Sequence, residues 1–312
     1  MKLLIVFERI PNNVIGEDKL LIEFAKYLSK HHEVYLLILS QLKFLNINES
    51  SIYFAKRVPP YFDIILLHHD SSFLSKIWRL RKLKVKASTF VGTIYFVDTY
   101  HPISFSRSIL GWFVLQAFMP LISFSRYVKS LLQRFIIKRV VFLPFIEIVL
   151  RKSKNTCSEV RKFSNKRMLN SVKICYIGSI DSERTNPSAI AKLLYVLSNN
   201  LGKNVELILV RRTGRIAKRS SKTVIIIPRI KVKLIERTLS EYEKITLLSK
   251  CNIALFTAKR IRFLIPPYFL IEATGCNIPI YAPYIAPILR LEGLDNVFER
   301  IDELINYLTR SI

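Results

Sequence analysis

The chain has 312 residues, half of them hydrophobic, with 49 Lys and Arg against 23 Asp and Glu and a formal charge of +26. That length and apolar content suit two domains of ordinary size and exclude a disordered chain. Four scattered cysteines exclude a disulfide framework, and the positive excess favours anionic partners: nucleic acid, lipid head groups or phosphorylated substrates.

Leu3 to Phe7 reads as a buried strand, too short for a signal-peptide core and broken by Glu8, Arg9 and Pro11. Gly16 opens a helix over Glu17 to Ser29, with Leu20, Leu21, Phe24, Ala25 and Leu28 at helical spacing. Val34 to Leu39 is a second strand, giving a βαβ start. Asp63 to Leu67 runs into His68-His69-Asp70, polar residues of the kind that line a ligand crevice at a strand end; neighbours in extended chain point opposite ways, which disfavours a shared metal. Ser75 to Lys86 interleaves Lys76, Arg79, Arg81, Lys82, Lys84 and Lys86 with Ile77, Trp78, Leu80, Leu83 and Val85. Two readings stand there: a solvated helix face, or peripheral contact with an anionic membrane with Trp78 at the interface.

Thr89 to Val97 is strand-like and ends in Asp98-Thr99-Tyr100-His101-Pro102. Ile109 to Phe124 is the most apolar run and reads as a core helix followed by a strand, against a membrane-dipping segment as the lesser reading. No run reaches the ~20 apolar residues of a spanning helix. Ser125 is an expected N-cap for a helix through Phe135, and Val140 to Pro144 closes this half as a strand. Residues 151–170, rich in Lys, Arg, Ser and Asn, read as a linker between an N-terminal domain (1–150) and a second domain (171–296).

The second half restarts with a strand over Val172 to Ser179. A polar loop follows, then a helix opened by Asn186-Pro187-Ser188, whose first N–H groups can hold an anion. Val205 to Val210 is a strand followed by a basic cluster from Arg211 to Lys222, and Val224 to Ile227 is another strand. Ser240-Glu241-Tyr242-Glu243 has the pattern of a helix start with acidic first-turn residues, and Cys251 to Phe256 is the next strand. Pro266-Pro267 then lead into a short helix carrying one carboxylate, Glu272, expected near the helix start. Gly275 and Asn277, both tolerant of positive φ, turn the chain into a strand over Ile278 to Ala282. A last helix covers Asp302 to Leu308. Cys157, Cys175, Cys251 and Cys276 read as buried thiols of a reducing, cytoplasmic compartment, with no zinc site.

The stretch Glu272-Ala273-Thr274-Gly275-Cys276-Asn277-Ile278-Pro279 resembles the nucleotide-sugar signature of the retaining GT-B glycosyltransferases of family 4, the group 1 glycosyltransferases. Asn277 stands where that family has Gly. Leu264 stands where many members carry a first Glu, eight residues earlier; some members lack it and have Pro at the position of Pro267. The resemblance extends over Ser171 to Ala282 in the order of elements and, more weakly, over the first half. It implies an α/β GT-B fold: two Rossmann-like, doubly wound parallel-sheet domains facing across a cleft, with residues 297–312 packing back toward the N-terminal domain.

It also implies a sugar moved from a nucleotide-diphosphate donor to a hydroxyl acceptor, lipid-linked, polysaccharide or protein glycan, with retention and without a metal. The nucleotide sugar is the substrate, and no cofactor is implied. Arg184 matches the second of two family cations that bind the donor diphosphate, while Ser179 replaces the first. Gly178 and Asn186 flank that loop, Glu272 would accept from the ribose hydroxyls, and Gly16 marks the first-domain loop. Asp98 and His101 stand where the family has residues near the reacting sugar. Two rivals remain. The losses at Leu264 and Ser179 motivate a degenerate member that binds a ligand without turnover. Charge alone motivates a nucleic-acid-binding protein, but no such motif is present and none is favoured. The location expected is cytoplasmic, on the inner membrane face if the basic segment binds lipid.

Overall fold

The computed structural model describes residues 1–7, 16–47, 52–54, 59–68, 73–94, 121–134, 140–162, 171–178, 186–211, 221–227, 229–258 and 266–311. They divide into two compact units, Met1–Phe145 and, from Ile146 onward, Ile146–Ile261 with Pro266–Ile312.

In the first unit, β1 (Lys2–Phe7) follows from an unbroken apolar run; only Lys2 is exposed and the other five residues are buried. A strand without alternation is one covered on both faces, the central strand of a parallel sheet. β1 pairs in parallel with β2 (Glu33–Ile38) on one side and with β5 (Tyr61–His68) on the other. The rest of the sheet is β3 (Lys43–Ile47), β4 (Ile52–Phe54), β6 (Lys86–Ile94), β7 (Leu121–Ser123) and β8 (Val140–Phe142), in the order β4-β3-β2-β1-β5-β6-β7-β8. All pairs are parallel except β2–β3 and β3–β4. Helices α1 (Gly16–Leu28), α2 (Phe73–Lys82) and α3 (Arg126–Arg134) belong to this unit. Phe24 of α1 meets Phe124 and Phe145 edge-on at 5.0 and 5.2 Å. Ser125 caps α3 as expected, its hydroxyl accepting from Val128 N at 3.0 Å.

The second unit is built on β9 (Ser171–Gly178), five of whose eight residues are buried and none exposed. Its sheet adds β10 (Asn204–Arg211), β11 (Ser221–Ile227), β12 (Ile230–Glu236), β13 (Ile253–Leu255), β14 (Ile280–Tyr281) and β15 (Val297–Phe298), in the order β11-β12-β10-β9-β13-β14-β15. Only β11–β12 is antiparallel. The helices are α4 (Phe145–Lys162), α5 (Pro187–Asn200), α6 (Glu241–Ser249), α7 (Tyr268–Gly275), α8 (Ala286–Leu291) and α9 (Ile301–Ser311). Leu304 and Leu308 of α9 join the core made by Ile174, Leu193, Leu197 and Leu207. All four cysteines are buried and free, as read from the sequence. A hydrogen bond with Cys251, then burial, raises the Cys175 thiol well above its ordinary value.

Several expectations change. The helix expected over 75–86 stops at Lys82, because Lys84 turns the chain with φ 54° and β6 starts at Lys86. Lys76, counted with the basic face, is wholly buried. Residues 151–162 of the expected linker are helical, as part of α4. β3, β4 and β12 were not anticipated. Residues 109–120, the bulk of the apolar run, lie outside the described residues.

The start of α6 follows its sequence closely. Ser240 and Glu243 form a reciprocal capping box, with Glu243 N donating to Ser240 Oγ at 3.2 Å and Ser240 N to Glu243 Oε2 at 2.9 Å. Arg237 grips the same carboxylate with two bonds of 2.9 Å. Arg237 first, then the Ser240 N–H, lowers the Glu243 carboxyl from 4.5 to about 2. A carboxyl depressed on folding stabilises the fold above its unfolded value, and that contribution is lost as pH falls through the folded one. Urea midpoints of the wild type should therefore fall between pH 5 and 2 more steeply than those of Glu243→Gln.

Candidate functional site

In an open parallel sheet, ligands bind outside the carboxyl ends of the strands where the strand order reverses. In the second unit that point lies between β9, which leads through α5 to β10 on one side, and β13 on the other. Gly178 is the last residue of β9, and Asn186 precedes the first turn of α5.

Asn186 is 5% exposed and tied on three sides. Its backbone N donates to the wholly buried Thr257 Oγ1 at 3.1 Å. Its Oδ1 accepts from Ser188 Oγ at 2.7 Å, which fixes the amide orientation, and its Nδ2 donates to the Tyr284 hydroxyl at 2.6 Å. Asn186 therefore does not cap α5 with its side chain; it ties the start of α5 to the segment after β13 and the turn after β14. Because the Tyr284 oxygen receives the amide proton, its own proton is available to another acceptor, and Tyr284 is 44% exposed. Burial, then the nearby Tyr284, raises the Tyr281 phenol. Pro187 at the start of α5 gives up an N–H that the helix would leave unpaired anyway.

Glu272 is carried by α7, the helix that follows β13 in the chain. It is the fifth residue of α7, one turn in from the start rather than near it. Its Oε1 pairs with Nζ of Lys244 on α6. The carboxylate side chain is 1% exposed and the lysine side chain 13%. The same ammonium lies 5.3 Å from the centre of the Tyr268 ring. Asn277 has φ 52°, the left-handed region that asparagine tolerates, and its Oδ1 accepts from Asn296 Nδ2 at 3.1 Å. Gly275 does not have positive φ. A Cβ there would stand 2.5 Å from Ser153 Cβ of α4, so glycine is required by close packing.

Gly16 is the first residue of α1. Asp98, His101, Ser179 and Arg184 lie outside the described residues. Thr257, Tyr284 and Lys244 were not singled out from the sequence. Thr257 carried a signal, a polar residue just past an apolar strand. So did Lys244, a cation in a helix first turn, where the macrodipole favours acids. Among the described residues no group of His, Cys, Asp and Glu is arranged to hold a metal ion, and no helix is long and apolar enough to cross a membrane.

No protein-family model matches the chain, and no curated protein matches its sequence. Solved structures do match. A glycosyltransferase from Rickettsia africae ESF-5 is similar with a TM-score of 0.56 and 16% identity over 98% of this chain and 87% of that one. Anabaena Alr3699/HepE in complex with UDP-glucose gives 0.53 and 14%, over 90% and 80%. The UDP-GlcNAc 2-epimerase of Neisseria meningitidis bound to UDP-GlcNAc gives 0.51 and 13%, over 99% and 91%. At this identity the likeness establishes the fold: the chain is α/β with the GT-B architecture of glycosyltransferases and UDP-sugar epimerases.

Proposed function

We propose that this protein is a glycosyltransferase that moves a sugar from a nucleotide-diphosphate donor to a hydroxyl acceptor with retention, without a metal. The observation that carries the reading is the polar brace of Asn186, Thr257 and Tyr284 at the strand-order reversal of a GT-B unit. A donor diphosphate there would meet the start of α5, the Tyr284 hydroxyl and Arg184. The bond from the anomeric carbon to the phosphate oxygen breaks, a bond to the acceptor oxygen forms, and the acceptor proton ends on the leaving diphosphate. Charge gathers on the leaving oxygens, so fixed donors aimed at them lower the barrier. Arg184 supplies a two-pronged cation for that purpose. Glu272 accepts from the ribose while sharing its charge with Lys244. Asp98 or His101 orients a glycan acceptor, soluble or lipid-linked.

The epimerase neighbour motivates a second reading: a protein that binds a UDP-sugar and does not transfer it. One experiment separates the two. Nucleotide sugars are screened by thermal shift, and each donor that binds is incubated with hydroxyl acceptors and its products resolved. A donor at a hundred times its Kd should add about 2.7 kcal/mol of stability. Acceptor-dependent release of nucleoside diphosphate, lost in Arg184→Ala, supports transfer. Binding with an epimerised sugar, or with no product, supports the second reading, and no shift with any donor defeats both.

A further inference from the structure

We infer that the amino edge of the first unit's sheet is a docking face for an anionic membrane surface. The face is continuous. Trp78 on α2 is 57% exposed, and Lys82 Nζ stands 3.6 Å above its ring. Arg81, Lys82, Lys84 and Lys86 are all exposed where α2 ends and β6 begins. Lys86 pairs in register with Tyr61, itself 45% exposed at the start of β5. Tyr61 in turn lines an open depression of about 630 Å³ shared with Lys2, Lys30 and His31. The acids of this edge are Glu33 and Asp63. Asp63 already accepts the Lys2 N–H at 2.7 Å, and Glu33 Oε2 accepts from the Tyr35 hydroxyl at 3.4 Å.

Cations near a helix C-terminus offset the helix dipole, and that accounts for Arg81 and Lys82. It does not account for Lys84 and Lys86, which lie past the helix, nor for an exposed indole among them. An exposed indole beside an ammonium, with further exposed cations on the same edge, suits the boundary between anionic head groups and acyl chains, where the ring enters and the cations meet phosphate. A membrane is favoured over RNA because the depression on this edge offers one phenol ring, that of Tyr61, whereas surfaces that track a strand stack successive bases on several rings. β5 runs from Tyr61 to His68, so its carboxyl end lies roughly 25 Å from this face. Docking here leaves the ligand-binding end of the sheet open.

The test is co-sedimentation of the full chain with phosphatidylcholine vesicles holding 30% phosphatidylserine, against pure phosphatidylcholine, at low and high salt. Binding should require the anionic lipid and weaken with salt. Lys82, Lys84 and Lys86 changed to Glu should reduce it by about 100-fold, since each basic residue near an anionic surface contributes about fivefold or more. Lys192, Lys231 and Lys250 changed to Glu, the same charge change on the second unit, should leave it near wild type. The emission of Trp78, taken as wild type minus Trp78→Phe, should shift to the blue on binding. Equal losses in the two triple variants would mean adsorption by net charge and would overturn the inference. So would polyuridylate binding without vesicle binding. Should the first triple variant melt early, Trp78→Ala decides alone: unchanged vesicle binding overturns the proposal.

Discussion

Replacing Lys244 with methionine is expected to lower the unfolding free energy by about 3–5 kcal/mol. Methionine nearly matches the lysine stem in length, so little packing is lost. The charge is what goes. Glu272 is 1% exposed, and its Oε1 is held by the Lys244 ammonium. Without that ammonium a carboxylate remains in the interior with that compensating charge removed. Urea denaturation at pH 7 measures the loss. The double variant Lys244→Met with Glu272→Leu removes both charges and should recover most of it, because a buried ion pair is commonly no more stabilising than apolar residues of similar volume. If the double variant is as unstable as the single one, the pair is not the source of the effect.

The double variant also addresses the function of Glu272. A carboxylate serving only to neutralise Lys244 can be removed with it at no cost to donor binding. A carboxylate that accepts from a ribose cannot. Stability restored together with donor binding lost is therefore the outcome expected for a nucleotide-sugar site. Restored binding would assign Glu272 to packing between α6 and α7.

What could be read from the sequence depended on the range of the interaction. β1 and the Ile174 to Ile177 run of β9 were legible because unbroken apolar runs bounded by polar residues admit few alternatives. The capping box at Ser240 and the bond from Val128 N to Ser125 were legible because their partners are three residues apart. β3 and β12 were missed for a shared reason. Each mixes lysine or asparagine with apolar residues on an outer part of its sheet, and such short runs resemble charged loops until a neighbour is known to pair with them. The site divides along the same line. Gly178, Asn186 and Glu272 were found through local pattern and resemblance. Their partners Thr257, Tyr284 and Lys244 come from distant segments, and nothing in a local window reports which distant side chain arrives. Lys76 makes the converse point: a lysine in a basic run was counted as surface, and the fold buries it.

Gly275 is where residue type gave the right turn residue with the wrong cause, and Gly275→Ala tests the correction. At the end of α7 an alanine would satisfy both the helix and its own φ, which is not positive. On local grounds the change should be neutral or stabilising by up to about 1 kcal/mol, since Gly is the poorer helix residue. The packing says otherwise. The added Cβ would lie 2.5 Å from Ser153 Cβ, 3.0 Å from the Leu150 carbonyl and 3.1 Å from Lys154 N, and the last two atoms are α4 backbone that no rotamer change can move. Overpacking against backbone sits at the upper end of its usual cost, so a loss of about 3 kcal/mol is expected in urea denaturation. Adding Ser153→Gly removes the closest contact and leaves the two backbone ones, while itself costing up to about 1 kcal/mol in helix propensity. The double variant should thus recover part of the loss and never reach wild type. A neutral Gly275→Ala would mean that α4 and α7 can separate freely, and the close approach of the two helices would not be what keeps glycine at this position.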